Sequence, residues 1–383
     1  MSEPRERRAA PRPKRPSRPA GDPGAARHFA QSYAEARDKF FVAARSRELG
    51  VETHVHPLLG RDGEMLAMDV ARDGPLAAKS LLIVSSGCHG VEGFCGSGVQ
   101  VALLGDAAWH DAARDAGAAV LYIHGLNPHG FSWWRRTTHE NVDLNRNFRD
   151  FAADAPANLR YDELAPLLVP EHWPPDAATT AALDAFVAEH GDRALQQAIS
   201  GGQYAHPDGL FFGGSEPTWS HTTLRQVLRH HGTCCTRLAW IDVHTGLGPS
   251  GHGERIYAGR DDADAYARAK SWWGDVTSIY DGSSSSAVLT GLMWLAAYEE
   301  CPQAETTGIA LEFGTVPTMD LINALRADQW LENHPEADEA TRRAIKQQLR
   351  DAFYTDTDEW KEQIVVQGVD AAQRALRGLR SAA

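Results

Sequence analysis

The 383-residue sequence predicts an α/β protein, a central sheet covered by helices on both faces. Three observations carry this expectation. Short apolar runs at 80–85, 119–124, 237–243 and 307–313 lack polar alternation, which suits strands buried on both faces. Stretches with apolar residues at helical spacing lie between them, as strand–helix–strand crossovers require. No internal repeat or linker-like composition interrupts 26–383, so one domain is expected there, behind a Pro- and Arg-rich tail over 1–25.

Taken in order, Phe29, Tyr33, Ala36 and Phe40 recur at helical spacing and predict a helix to about Arg47. Two strands follow at 51–56 and 64–71, joined by the turn-like Gly60-Arg61-Asp62-Gly63. The buried strand 80–85 (SLLIVS) ends in small residues and leads to a helix over 93–104. The strand 119–124 comes next, then helices over 176–198 and 218–230 and core strands 237–243 and 307–313. From about Pro317 the chain reads as mostly helical, with charged faces and no β-branched runs.

Composition narrows the function classes. Apolar residues make up 43% and charged residues 23%, ordinary globular usage that excludes a wholly disordered or fibrous chain. The longest apolar runs, 81–84 and 292–297, fall far short of the roughly 20 residues a membrane span needs. The first 20 residues hold seven Arg or Lys and no apolar core of a secretory signal, so a cytoplasmic protein is expected. Net charge is −13, yet residues 1–20 balance to +5, which leaves −18 on the remaining 363. A body this acidic argues against a nucleic-acid-binding domain. The basic tail reads as a disordered extension or an over-extended start, or else as a segment for an acidic partner. Five cysteines (Cys88, Cys95, Cys234, Cys235 and Cys301) form no C-x-x-C pair, so reduced thiols are expected. Cys88, next to His89, is the one candidate nucleophile among them.

In open α/β sheets, ligands bind beyond the carboxyl ends of the strands. Three such ends here carry unusual polar residues: Gly87-Cys88-His89-Gly90-Val91-Glu92, Ile241-Asp242-Val243-His244-Thr245-Gly246 and Ala310-Leu311-Glu312-Phe313-Gly314. A fourth motif, Asn141-Val142-Asp143-Leu144-Asn145-Arg146-Asn147-Phe148, follows the strand 119–124. His89-x-x-Glu92 alone is a pattern that arises by chance about once in such a chain. Placed on a turn into a helix, its two residues can converge on one ion, with His244 as the third ligand. Two His and one Glu with an open fourth position make a catalytic rather than a structural zinc set. The competing reading is an exposed His and Glu beside a satisfied strand-end His.

Over most of 80–315 these segments resemble the zinc carboxypeptidases of the carboxypeptidase A type, and a bacterial branch of that superfamily related also to aspartoacylase and succinylglutamate desuccinylase. The resemblance implies a three-layer α/β/α fold with a mixed, mostly parallel sheet and one zinc ion per chain. His89, Glu92 and His244 match the family's metal ligands, and Glu312 falls where the family keeps its general base. Arg135, in Trp134-Arg135-Arg136-Thr137, matches the arginine that polarises the scissile carbonyl. Asn145 and Arg146 match the pair that binds a substrate carboxylate. Asp143 is either a carboxylate partner for the His89 ring or a simple turn residue.

The sequence also departs from that family. The stretch from Ser283 to Gly291 has no counterpart of the tyrosine that carboxypeptidases place over the substrate. The Gly- and polar-rich segment 201–214 has no counterpart in the digestive enzymes, and reads either as a loop shaped to the substrate or as ordinary packing. His252 and the pair His230-His231 read as surface or packing residues. The leading functional expectation is a zinc hydrolase cleaving an amide next to a free carboxylate, with a peptide or an N-acyl amino acid as its partner and no nucleic acid or membrane. An N-acyl amino acid deacylase fits H-x-x-E and D-L-N-R equally well, and the Trp134-Arg135 segment favours the peptidase. A non-catalytic zinc- or peptide-binding protein is the third reading, disfavoured by Glu312.

Overall fold

Four parallel strands occupy the middle of an eight-stranded sheet ordered β1-β2-β4-β3-β5-β8-β6-β7. The computed structural model describes residues 24–380, so the expected tail over 1–25 lies almost wholly outside the described residues. The strands are β1 (Val51–Leu59), β2 (Met65–Asp73), β3 (Ser80–Ser86), β4 (Ala118–His124), β5 (Arg237–Ser250), β6 (Gly253–Tyr257), β7 (Thr277–Ser278) and β8 (Glu305–Gly314). Antiparallel pairing joins β1 to β2, β2 to β4 and β6 to β8, so the sheet is mixed, with its parallel strands at the centre. This is the α/β architecture expected from the sequence.

The helices are α1 (Tyr33–Arg45), α2 (Gly93–Gly105), α3 (Ala107–Asp115), α4 (Pro128–Trp133), α5 (Leu159–Leu168), α6 (Ala177–His190) and α7 (Asp192–Ser200). After them come α8 (Trp219–Gly232), α9 (Ala263–Trp273), α10 (Leu295–Glu300), α11 (Thr318–Asn333), α12 (Glu339–Phe353) and α13 (Asp358–Arg380). Among the described residues no helix is long and apolar enough to cross a membrane.

Every residue of β3 is buried, and its side chains divide by parity, as a strand's must. Leu82 and Val84 join one apolar core with α1, α2 and α13, while Leu81 and Ile83 join another with α8 and α10. The unalternating apolar run at 80–85 is thus the signature of a strand covered on both sides. Helix α2 lies close to β3 because it carries glycine where they meet: a Cβ at Gly96 would sit 2.5 Å from the Cβ of Ser86. A third apolar cluster, built from α5, α7, α11 and α12, stands beside the carboxyl ends of the strands.

The single helix expected over 176–198 is two, α6 and α7, because Gly191 adopts φ +84° and breaks the path. Strand β5 runs to Ser250, well past 243, and pairs with β8 through His244 opposite Glu312. Strands β6 and β7 are short and polar, and no periodicity marked them.

The chain places β4 on one side of β3, then crosses back to lay β5 on the other. That reversal opens a crevice at the carboxyl ends of β3 and β5, where open α/β sheets bind ligands.

Candidate active site

The crevice holds His89 and Glu92 from the turn after β3 and His244 from β5, all three buried, with their ligand atoms within 4.8 Å of one another. The chain leaves β3 through Gly87 at φ +72° and enters a short 3-10 turn, Gly90–Glu92, which turns both side chains inward. Glu92 is the hub. Its Oε1 lies 2.9 Å from His89 Nδ1, and its Oε2 lies 3.1 Å from His244 Nδ1 and accepts from the Thr245 N–H at 3.1 Å. Burial opposes its charge, but the His89 and His244 imidazoles hold its carboxyl well below the usual range. Two Nδ1 atoms facing one carboxylate, with the rings 5.0 Å apart, form a group of metal-ligating side chains close enough together to hold one ion.

Asp143 touches the opposite edge of the His89 ring, its Oδ1 3.2 Å from Nε2. It also receives Arg136 Nε at 2.9 Å. Burial works against this charge too, yet Arg136 and then Arg146 keep Asp143 ionised far below its usual range. Asp143 thus lies beside His89 Nε2, an edge it shares with Arg136, whose Nη2 is 2.9 Å from the same nitrogen. On the other histidine, Nε2 lies 2.5 Å from Asp242 Oδ2 but off the hydrogen-bond line, and both atoms lack a hydrogen-bond partner.

Glu312 stands opposite His244 on β8, and its Oε1 accepts the Leu247 N–H at 2.9 Å. Burial, and then the charge of Glu92, push its carboxyl up to about 7. A carboxyl near neutrality can take and return a proton at working pH.

The two adjacent arginines part company. Arg136 lines the cavity, with Nη1 3.1 Å from Glu92 Oε1 and Nη2 2.9 Å from His89 Nε2. Arg135 does not line it. Its guanidinium turns to the helix α11 instead, with Nε 3.2 Å from Asp328 Oδ2 and Nη2 bonding Gln329 and Asn141 at 3.3 and 3.0 Å. The sequence offered no way to choose between neighbours in a loop. Trp134, just before them, has a φ of +53° and ends α4 in the left-handed region.

Asn145 and Arg146 both line the cavity. Arg146 bonds Ser200 O through Nε and Nη2, at 3.1 and 2.5 Å, and Asn145 O through Nη1 at 2.9 Å. Its Nη1 also faces Asp143 Oδ1 at 3.6 Å, which leaves one N–H, on Nη2, without a partner among the described residues. The 201–214 segment forms a wall here. Phe211, at φ +53°, lays its ring between the two guanidiniums, 4.8 Å from Arg136 and 5.5 Å from Arg146. Holding a bulky residue in that region costs about 1–3 kcal/mol and marks a shape the surroundings enforce. Tyr204 supports the wall through its hydroxyl, which donates to Arg146 O at 2.8 Å. The glycines at 202 and 213 were the signal in the sequence; nothing there singled out Phe211.

Beyond these polar groups the cavity, of about 90 Å³, is apolar, lined by Ile256, Ile279, Leu289, Leu292 and Trp294 among others. Ser286 lines it from the 283–291 stretch, and no tyrosine is among the lining residues described. Cys88 is fully buried, and burial raises its thiol well above the usual range, so no thiolate is at hand. His252 is exposed, away from the cavity.

No curated protein matches the sequence. Solved structures similar to the chain include a carboxypeptidase A from Helicoverpa armigera, at 13% identity over 84% of this chain and 74% of that one, with a TM-score of 0.40. A metallo-carboxypeptidase from Burkholderia cenocepacia is 10% identical over 93% and 71%, with a TM-score of 0.43. The murein-tripeptide amidase MpaA from Escherichia coli O157 is 16% identical over 79% and 92%, with a TM-score of 0.32. Residues 29–367 match a family described as "Protein of unknown function (DUF2817)", and the chain belongs to that family.

Proposed function

We propose that the protein is a zinc-dependent metallohydrolase that cleaves an amide bond next to a free carboxylate. One observation carries the reading: a buried His–Glu–His set, a carboxyl poised near neutrality and two arginines all face a single cavity. His89, Glu92 and His244 would hold the ion. Zinc at such a site polarises a carbonyl and lowers the pKa of water to about 7. Glu312 takes a proton from the attacking water and returns it to the leaving amine. Arg136, in the place that sequence reading gave to Arg135, donates to the oxygen on which negative charge develops. Arg146, through its remaining Nη2 donor, and Asn145 beside it receive the substrate carboxylate. Asp143 keeps the His89 ring turned toward its ligand position.

A second reading rests on the same groups: an N-acyl amino acid meets the same carboxylate site as a peptide end. The test is hydrolysis by zinc-loaded protein of a panel of N-acyl amino acids and short peptides, each offered as free acid and as amide. Turnover confined to the free acids, and lost in Glu312→Gln, is expected. Turnover of amides as fast as acids removes the carboxylate requirement, and no turnover of any member removes the hydrolase.

A further inference from the structure

A second cluster of metal-binding side chains lies where the edge strand β1 meets the last turn of α8. Glu52 and His54 sit two apart on β1 and so share a face. His230 and His231 close α8, with their rings 4.7 Å apart and nearly perpendicular. Glu52 stands between the two elements: Oε1 is 2.9 Å from His54 Nε2, and Oε2 is 3.2 Å from His231 Nε2. The ligand atoms of Glu52, His230 and His231 all lie within 4.8 Å of one another. None of these four residues lines the catalytic cavity.

Two features separate this cluster from a chance meeting of surface histidines. His231 is buried, and its Nδ1 has no hydrogen-bond partner; His54 Nε2 is likewise buried and without one, its contact with Glu52 lying off the hydrogen-bond line. Buried polar atoms are ordinarily satisfied, so His54 Nε2 beside the Glu52 carboxylate and His231 Nδ1, on the ring whose Nε2 already meets that carboxylate, are capacity left without a partner among the described residues. The helix end is also fixed in place. Arg72 of β2 donates to His231 O at 3.0 Å and commits its remaining groups to Gly74 O and Pro75 O, so its charge is turned to carbonyls.

We propose that Glu52, His230 and His231 form a second metal site for a divalent first-row transition cation of the zinc class, with His54 at the other oxygen of the carboxylate. Imidazole and carboxylate donors suit zinc, copper and nickel rather than magnesium or calcium. Zinc holds such donors at about 2.0–2.2 Å, so the cluster must close by roughly an ångström. The exposed Glu52 and His230 side chains have the freedom to do this. The ring spacing of 4.7 Å already resembles the 5.0 Å between His89 and His244. Ligands from β1 and α8 together make this a clamp on an edge strand, and catalysis does not depend on it.

The experiment uses untagged full-length protein, stripped with chelator, reloaded with zinc, dialysed and analysed for metal per chain. Wild type is expected to hold two equivalents. His89→Ala and the double variant Glu52→Gln/His230→Ala are each expected to hold one, and the three changes together none. In the His89→Ala protein, added zinc should raise the melting temperature by several degrees, and this rise should vanish when Glu52→Gln/His230→Ala is added. A wild-type protein with one equivalent, removed by His89→Ala, overturns the proposal. So does a second equivalent that survives Glu52→Gln/His230→Ala. One equivalent lost in the double variant but kept in His89→Ala would uphold this site and remove the catalytic one.

Discussion

Replacing Arg136 and Arg135 one at a time separates their roles. Arg136 is the guanidinium that faces the His89, Glu92 and His244 cluster, 3.1 Å from Glu92 and 2.9 Å from Asp143. Loss of one donor to a developing oxyanion costs about 10²–10³ in kcat, about 2.7–4 kcal/mol. Arg136→Ala should therefore lower kcat by at least about 100-fold in metal-loaded protein. Arg135→Ala removes a pairing with Asp328 and Glu332, but Lys346 still holds both carboxylates, at 2.6 and 2.8 Å. No buried charge is stranded, so the cost is that of lost hydrogen bonds, about 1–3 kcal/mol of stability. Its kcat should fall by less than about tenfold, through slackening of the loop that carries Arg136. The assay is kcat and KM on the best substrate of the panel, with melting temperature and metal content measured on the same samples. If Arg135→Ala, folded and metal-loaded, lost as much kcat as Arg136→Ala, the assignment of the two arginines would be refuted.

Four further outcomes are expected. His89→Ala should lose the metal of the catalytic site by elemental analysis; full retention would remove His89 from the ligand set. Glu312→Gln should keep metal and fold and lose about 10²–10⁴ in kcat, and a loss within threefold would rule out its role as base. Arg146→Ala should lose roughly 10- to 200-fold in kcat/KM on the free acid and little on the amide, so that an unchanged acid-to-amide preference would clear Arg146 of carboxylate recognition. On the far side of the molecule, the hydrogen bond that His110 Nδ1 donates to Asp73, resisted by burial, raises the pKa of His110. A raised folded-state pKa gives stability that is fully present below the unfolded value near 6.5 and is lost as pH rises through the folded value. The melting-temperature gap between wild type and His110→Gln should therefore be wider at pH 5.5 than at pH 9, and an equal gap at both would contradict the pairing.

The elements that gave the clearest signal in the sequence are those whose burial is uniform. The 80–85 and 119–124 runs read as strands because both faces are covered, and α1 announced itself through Tyr33, Ala36 and Phe40, while Phe29, expected in the same helix, packs into the core from just before it. Strand β6 was not legible because Gly253–Tyr257 is mostly half-buried and carries charges, and its pairing with β8 is a long-range fact that no local pattern encodes. The position of Gly191 was visible, but whether it would adopt a positive φ was not. At the candidate site, His89, Glu92, His244 and Glu312 were singled out by their strand-end positions and by family resemblance, and all four line one cavity. Arg136 and Phe211 were not, since both sit in loops whose direction is set by left-handed residues and by partners dozens of positions away.

The turn that carries His89 and Glu92 is bound to the arginine loop through its own backbone: Gly90 N–H donates to Arg136 O at 3.1 Å and Val91 N–H to Arg135 O at 2.8 Å. A Cβ at Gly90 would come within 2.0 Å of the Gly130 backbone, so the two segments are in direct main-chain contact. For transplantation this sets the unit. The H-x-x-E turn moved alone into another scaffold would arrive without the acceptors that shape it, and any residue other than glycine at 90 would force the segments apart. The portable module is residues 86–93 together with 127–137, taken as a pair. Recombination between related chains should accordingly tolerate a crossover after 137 better than one between these two segments.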